Sequence, residues 1–166
     1  MRGNESGEIV VRGDRVFAGY LDGSEATAAA FLPGGWFRSG DLGRLDEDGY
    51  LHLTGRRGEV INRGGEKLIP QEVDDVLASH PAIAEAALFV VADTRLGEDA
   101  VAAVVLNQGM DVSPRALRTW MRTRLASFKV PRRIWLVEQL PRTATGKVQR
   151  GELARRWYEA HGEPQS

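Results

Sequence analysis

Gly55-Arg56-Arg57-Gly58-Glu59-Val60-Ile61-Asn62-Arg63-Gly64-Gly65-Glu66-Lys67-Leu68-Ile69-Pro70 is the stretch around which the chain is organised. It is glycine-rich, so its backbone can bend sharply or approach another molecule closely. By itself the stretch fits a plain surface turn as well as a binding loop. The residues before it read as short strands and turns, and the residues after it as alternating helices and strands. It therefore joins two parts of different character.

Upstream, residues 8–20 predict two short strands broken at Gly13-Asp14. Ser24 precedes Glu-Ala-Thr-Ala-Ala-Ala and predicts an N-capped helix that Pro33-Gly34-Gly35 ends. Trp36-Phe37-Arg38 reads as extended and Ser39-Gly40-Asp41-Leu42 as a tight turn. Residues 43–46 and 50–54 around Asp48-Gly49 read as a β-hairpin. This segment has little material for a core of its own and suits the end of a larger sheet or barrel.

Downstream, Pro70 suits a first helical position, and Val73, Val76, Leu77 and His80 recur at helical spacing until Pro81. Residues 83–91 and 100–106 predict an antiparallel strand pair. Ser113-Pro114 opens a helix with Leu117, Trp120, Met121 and Leu125 on one side and Arg115, Arg118 and Arg122 on the other. An arginine face of that kind is more often solvated surface than a binding patch. Residues 133–137 predict a third strand, and a last helix after Gly151 buries Leu153, Ala154, Trp157 and Tyr158. The expected fold class is therefore α+β: a strand-rich N-terminal segment, then a small domain with a three-stranded sheet flanked by helices.

Composition narrows the function. The chain has 166 residues, 22 Lys+Arg against 23 Asp+Glu, and no cysteine. A net charge of -1 gives no global bias towards nucleic acid or anionic membrane. Disulfides and thiolate metal sites are excluded, and His52, His80 and His161 lack ligand-like spacing, so no metal site is expected. No apolar run reaches the roughly 18 residues of a membrane span, and the first residues lack a signal peptide's apolar stretch. The cytoplasm is the expected location.

Three places could carry chemistry. Asp41 could accept hydrogen bonds from a sugar diol or could stabilise its own turn. Arg56 offers a planar fork of donors to ribose or phosphate oxygens, and Gly64-Gly65 permits close approach of a ligand to the backbone. Pro141-Arg142-Thr143-Ala144-Thr145-Gly146-Lys147-Val148 presents one lysine from a Thr/Gly-rich loop. Pro141 and Val148 stand where a Walker loop needs Gly and Ser/Thr, so it is not one.

The order of these pieces carries a resemblance. It runs Gly-Glu-Ile-Val-Val-Arg-Gly, Gly-Trp-Phe-Arg-Ser-Gly-Asp-Leu-Gly, Asp-Gly-Tyr-Leu, Ile-Asn-Arg-Gly-Gly-Glu-Lys-Leu-Ile-Pro, Phe-Lys-Val-Pro and Thr-Gly-Lys-Val-Gln-Arg. This resembles the C-terminal part of the AMP-forming adenylate-forming superfamily, which includes acyl-CoA synthetases. The resemblance covers nearly the whole chain. It implies that residues 1–55 end a large AMP-binding domain, that 56–58 form a hinge, that 59–160 form the small C-terminal domain, and that 161–166 are a tail.

The resemblance also implies roles. Asp41 and Arg56 would contact the ribose of ATP and of the acyl-adenylate. Lys147 would be the catalytic cation at the acid carboxylate and α-phosphate, and Gly64 and Gly65 would line the pantetheine tunnel. Gly58 occupies the hinge position, where Asp or Lys is usual in the family. The Pro-x-Thr-x-x-Gly-Lys loop also resembles those whose lysine is reversibly acetylated.

The implied reaction is carboxylate plus ATP to acyl-AMP and pyrophosphate, after which CoA displaces AMP. ATP and Mg2+ would be held mainly by the large N-terminal domain, of which most is lacking, and the fragment alone would be inactive. Expected partners are that domain, a carboxylic acid, and CoA or a carrier-protein pantetheine, with no nucleic acid and no membrane span. The wording Ile-Asn-Arg-Gly-Gly-Glu-Lys resembles acyl-CoA synthetases and aryl-acid ligases more than amino-acid adenylation domains; a CoA ligase is favoured, with an aryl-acid or amino-acid adenylation domain loading a carrier protein as the alternative. The alternative of another class is a non-catalytic module that binds a partner.

Overall fold

The computed structural model describes residues 6–162. The chain divides into two compact units, one ending at Glu59 and the other beginning at Val60. The expected tail therefore lies mostly outside the described residues.

The first unit is a four-stranded antiparallel sheet with one short helix. Its elements are β1 (Gly7–Val11), α1 (Ser24–Ala30), β2 (Phe31–Leu32), β3 (Trp36–Leu45) and β4 (Leu51–Arg56), with a 3-10 turn at Arg57–Glu59. β3 is central: β1 runs along one edge, while β2 and β4 share the other.

Three expectations change in this unit. Residues 12–20 form turns rather than a second strand, because Phe17 is drawn into an edge-to-face cluster with Tyr20, Phe31 and Phe37. Ser39-Gly40-Asp41-Leu42 does not turn the chain; β3 continues through it, with irregular register against both neighbours. Ser24 is the first helical residue and makes no side-chain cap, the cap position being Gly23.

The second unit is α+β. It contains β5 (Ile61–Arg63), β6 (Glu66–Leu68), α2 (Pro70–Ala78), β7 (Ile83–Asp93), β8 (Gly97–Leu106), α3 (Pro114–Met121), β9 (Arg133–Leu136) and α4 (Arg150–His161). The sheet has five strands rather than three, because the glycine-rich stretch itself folds into the β5–β6 hairpin and joins it. One register pair, Arg63↔Gly97, joins that hairpin to β8 in the sheet. β7 and β8 form a long antiparallel ribbon, and β9 pairs with β8 in parallel.

Both faces of the sheet are covered. Val73 and Leu77 of α2 and Leu117 and Met121 of α3 pack against Leu88, Ala102, Val104 and Ile134. On the opposite face, Leu153 and Trp157 of α4 pack against Phe89, Val101 and Ala103. Burial on both faces accounts for the near-continuous apolar run of β8, which strict alternation would not give. Pro70 occupies the start of α2, and the Ser113 hydroxyl accepts from Ala116 N–H at the start of α3, so both sequence signals hold.

Candidate functional site

The predicted site residues fall into three groups, one in the first unit and two in the second. In the first unit, Asp41 and Arg56 face each other across the β3–β4 register, and Arg56 Nε donates to Asp41 Oδ1 at 2.9 Å. The Asp41 carboxylate does not stabilise a turn; its backbone N–H is satisfied by Ser39 Oγ at 3.0 Å. Arg56 stays largely exposed and Asp41 about one-third exposed, so both reach solvent. Beside them in sequence, Arg57 joins Arg38 around Glu8, with closest N–O distances of 3.1 and 2.6 Å. The Arg38 contact holds the Glu8 carboxyl below the usual carboxylate range.

Gly58 lies in the 3-10 turn with open space around the position of a Cβ and a φ outside the left-handed region. Neither backbone conformation nor packing requires glycine there.

In the second unit, Gly64 and Gly65 form the two-residue turn of the β5–β6 hairpin, with φ of +60° and +94°. Positive φ at both central residues is what a type I′ hairpin turn demands, and it matches the right-handed twist of the flanking strands. Four anchors fix the hairpin. Gly65 N–H donates to Asn62 Oδ1, Gly64 N–H to Leu96 O, and Asn62 N–H to Glu98 Oε2, at 3.0, 3.1 and 2.7 Å. The fourth is Arg63, whose Nε meets Asp99 Oδ1 at 2.7 Å while its Nη1 donates to the carbonyls of Phe128 and Val130. Next to those carbonyls, Lys129 pairs with Glu72 of α2 at 2.6 Å. The Phe128-Lys129-Val130-Pro131 segment is thus strapped to the glycine turn.

Lys147 sits on a second tight turn. Gly146 N–H donates to Thr143 O, Thr143 N–H to Lys147 O, and Lys147 N–H to Thr143 Oγ1. Arg142 donates to Gly146 O at 2.7 Å and pairs with Glu85 at 2.9 Å. The lysine is exposed and makes no ion pair among the described residues.

Behind it, Arg150 opens α4 and donates to Leu88 O at 2.6 Å and to Asp74 Oδ2 at 2.8 Å. Asp74 is buried, and burial pushes its carboxyl above the usual range against the pull of Arg150.

The two turns lie at opposite ends of the β7–β8 ribbon. Arg142 reaches Glu85 near the start of β7, whereas Gly64 bonds Leu96 in the turn that closes the ribbon. At about 3.3 Å per residue the separation is on the order of 25 Å. One rigid unit therefore carries an exposed cation at one end and a glycine turn at the other.

Arg63, Asp99, Asp74 and Arg150 are not among the expected site residues. Arg63 stands in the glycine-rich stretch and Arg150 just after the lysine loop, but their acidic partners lie 36 and 76 positions away in sequence. No local pattern joins them.

Among the described residues, no three His, Cys, Asp or Glu side chains cluster so as to hold a metal ion. No helix among them is long and apolar enough to cross a membrane.

Comparison with known proteins gives one consistent answer. Residues 72–147 match the AMP-binding enzyme C-terminal domain. The chain is 49% identical over 149 residues to a probable CoA ligase, CCL9, of Humulus lupulus, covering 90% of this chain and 28% of that protein. It is 44% identical over 156 residues to oxalate–CoA ligase of Arabidopsis thaliana, covering 94% and 30%. Among solved structures, ATP-bound MatB from Rhodopseudomonas palustris superposes with a TM-score of 0.88 at 32% identity, over 97% of this chain and 32% of that one. The Bacillus subtilis o-succinylbenzoate CoA synthetase with its acyl-adenylate intermediate gives 0.82 at 38% identity, over 92% and 31%. The chain spans about 30% of the length of the relatives it matches.

Proposed function

We propose that the chain is the C-terminal part of an ATP-dependent, AMP-forming acid–CoA ligase, a reading supported by the match of residues 72–147 to the AMP-binding enzyme C-terminal domain. The reaction is carboxylate plus ATP to acyl-AMP and pyrophosphate, then thiol attack by CoA with release of AMP. On this reading residues 1–55 end the large domain, 56–58 form the hinge, and 59–160 are the small domain that serves both steps. The chain alone is inactive, because the substrates are held mainly by the large domain.

The supporting observation is the separation of Lys147 from Gly64-Gly65 along one rigid ribbon. A unit with one functional group at each end can serve two half-reactions by rotating about a hinge. In the first, the Lys147 ammonium approaches the attacking carboxylate and the α-phosphate. Both carry negative charge, and a compact cation on a fixed turn lowers their repulsion as the new P–O bond forms and pyrophosphate leaves. In the second, the Gly64-Gly65 turn lets the pantetheine arm pass close to backbone. The thiolate then adds to the acyl carbonyl and AMP departs with the C–O bonding pair.

Asp41 and Arg56 form the ribose-directed pair, the carboxylate accepting from the sugar hydroxyls and the guanidinium donating to ribose or phosphate oxygens. Gly58 is the pivot. Mg2+ accompanies ATP, but no cluster of acidic side chains among the described residues offers it a site.

The test uses the intact enzyme. Lys147→Ala is expected to abolish acid-dependent ATP–pyrophosphate exchange while sparing thioester formation from supplied acyl-AMP. Gly65→Leu is expected to do the reverse. Loss of the same half-reaction in both variants would sink the two-ended account.

A further inference from the structure

A second cationic site stands apart from Lys147, along the outer edge of β9. β9 pairs only with β8, so its other edge is open. Ile134 faces the core under α3, while Trp135 faces the core under α4. Arg115 and Arg118 come to this edge from α3, and Arg132 and Arg133 from the start of β9. Together with Trp135 and Trp157 they line a cavity of about 420 Å3 in which no acidic residue takes part.

The charges there are only partly answered. Arg132 lies 3.7 Å from Asp93 and 3.6 Å from Asp99, at the long limit of an ion pair. Arg133 rests over the Trp157 ring at 5.7 Å and has no carboxylate partner among the described residues. Arg115 and Arg118 likewise have none. Arg118 Nε is, moreover, a buried donor without any hydrogen-bond partner, the one such side-chain atom among the described residues. A buried unsatisfied donor calls for an acceptor that the fold itself does not supply. Three guanidinium groups gathered without counter-charge call for an anion.

We propose that the β9 edge is a binding site for a diphosphate-bearing anion. Planar guanidinium forks match phosphate oxygens two at a time, and a single carboxylate would not satisfy three arginines. The groove is open to solvent and has room for more than one phosphate. The indole of Trp135, half-buried at the same cavity, offers a ring face for a base if the diphosphate belongs to a nucleotide. The site is independent of the ligase reading, since none of its arginines belongs to the proposed catalytic, ribose or pantetheine groups.

The experiment is calorimetric titration of the 166-residue chain with inorganic pyrophosphate and, separately, with ADP without added metal. Saturable binding of either is expected, weakened about tenfold or more by Arg118→Gln and again by Arg133→Gln. Stronger binding of ADP than of pyrophosphate assigns a nucleotide; equal binding assigns the bare diphosphate. Arg124→Gln, at a residue stacked 3.9 Å over Trp120 and outside the cavity, is the control and should leave binding unchanged. Thermal melts confirm that the variants fold. Absence of saturable binding, or equal losses in Arg118→Gln and Arg124→Gln, overturns the proposal.

Discussion

Asp74 and Arg150 close a three-way bond with the backbone of Leu88. Asp74 Oδ1 accepts from Leu88 N–H at 2.6 Å, Asp74 Oδ2 accepts from Arg150 Nη2 at 2.8 Å, and Arg150 Nη1 donates to Leu88 O at 2.6 Å. The triangle ties α2, β7 and the first residue of α4 together at one point. Arg150 lies three positions beyond Lys147, and Gln149 N–H bonds back to Pro141 O at 2.8 Å. The lysine turn is therefore held from behind by a buried carboxylate on a different helix.

Asp74→Ala is expected to cost about 2–3 kcal/mol, because it leaves Leu88 N–H without its acceptor and takes one of the acceptors from a partly buried guanidinium. Asp74→Asn should cost less, since the amide oxygen can still accept from Leu88 N–H. Urea unfolding of the chain measures both, and equal losses would mean that the ion pair, not the backbone bond, dominates. On the proposed function, the same substitutions in the intact protein should lower acid-dependent pyrophosphate exchange more than thioester formation from acyl-AMP.

Arg63→Ala removes the guanidinium that meets Asp99, a residue with its side chain only 9% exposed, and also two carbonyl contacts. Arg132 stays near Asp99 at 3.6 Å and softens the loss. The expected cost is about 3 kcal/mol, the lower end of what breaking a buried pair entails. Proteolysis should then cut first around residues 127–131, the segment Arg63 straps down. An unchanged cleavage pattern would argue against the strap.

The surroundings of the lysine and glycine turns mark where the sequence is legible and where it stops being so. Pro70, Ser113-Pro114 and the period of Val73, Val76 and Leu77 announce their helices because caps and amphipathic spacing are local. The α+β class and the β7–β8 pairing are legible for the same reason. The β5–β6 hairpin is not, because two glycines in a charged stretch fit a loop equally well until Gly97 of β8 and Leu96 of the turn before it pair with the hairpin. Lys147, Gly64 and Gly65 stand out within their own motifs. The acids that set the surroundings, Asp74 and Asp99, do not, since their partners are distant along the chain.

Glu152 should leave a pH signature. Arg155 and Arg156 hold its carboxyl down to about 2 from the ordinary 4.5. A folded value below the unfolded one means that the stabilisation is fully present above about pH 4.5 and is lost as pH falls towards about 2. The difference in Tm between the wild-type chain and Glu152→Gln is therefore expected to be constant near neutrality and to vanish on acidification through that window. The side chain is still about one-quarter exposed and its arginine partners more so, so the difference is small and screened by salt. A difference that grew on acidification would contradict the assignment.

The glycines of the central stretch should separate by backbone requirement. Gly58→Ala meets open space at an unstrained φ, so it should be neutral or stabilising by up to about 1 kcal/mol through the unfolded chain. Gly65→Ala also meets open space but must adopt φ of +94°, so it should cost about 1 kcal/mol or more. Gly64→Ala adds a contact of 2.8 Å with Leu96 Cδ2 and should cost at least as much. Thermal melts rank the three, and a loss at Gly58 equal to that at Gly65 would show that position 58 is constrained in solution. With Gly58 structurally free, a change in the thioester rate of the intact protein on Gly58→Ala would, on the proposed hinge role, report on rotation and not on folding.

Lys147 offers the cleanest division between stability and function. Its ammonium is exposed and pairs with no carboxylate among the described residues, while the turn beneath it is held by Thr143, Gly146 and Arg142. Removing the charge should leave the fold intact: Lys147→Gln is expected to unfold within about 0.5 kcal/mol of the wild-type chain. On the proposed role of Lys147, the same neutralisation, by substitution or by acetylation of the Nζ, should suppress acid-dependent pyrophosphate exchange in the intact protein, because the cation assigned to face the carboxylate and α-phosphate is gone. Thioester formation from supplied acyl-AMP should persist. Enzymatic deacetylation should restore exchange to the acetylated enzyme, a rescue that Lys147→Gln cannot show. If acetylated enzyme retained its exchange rate, Lys147 would not be the cation of the adenylation step.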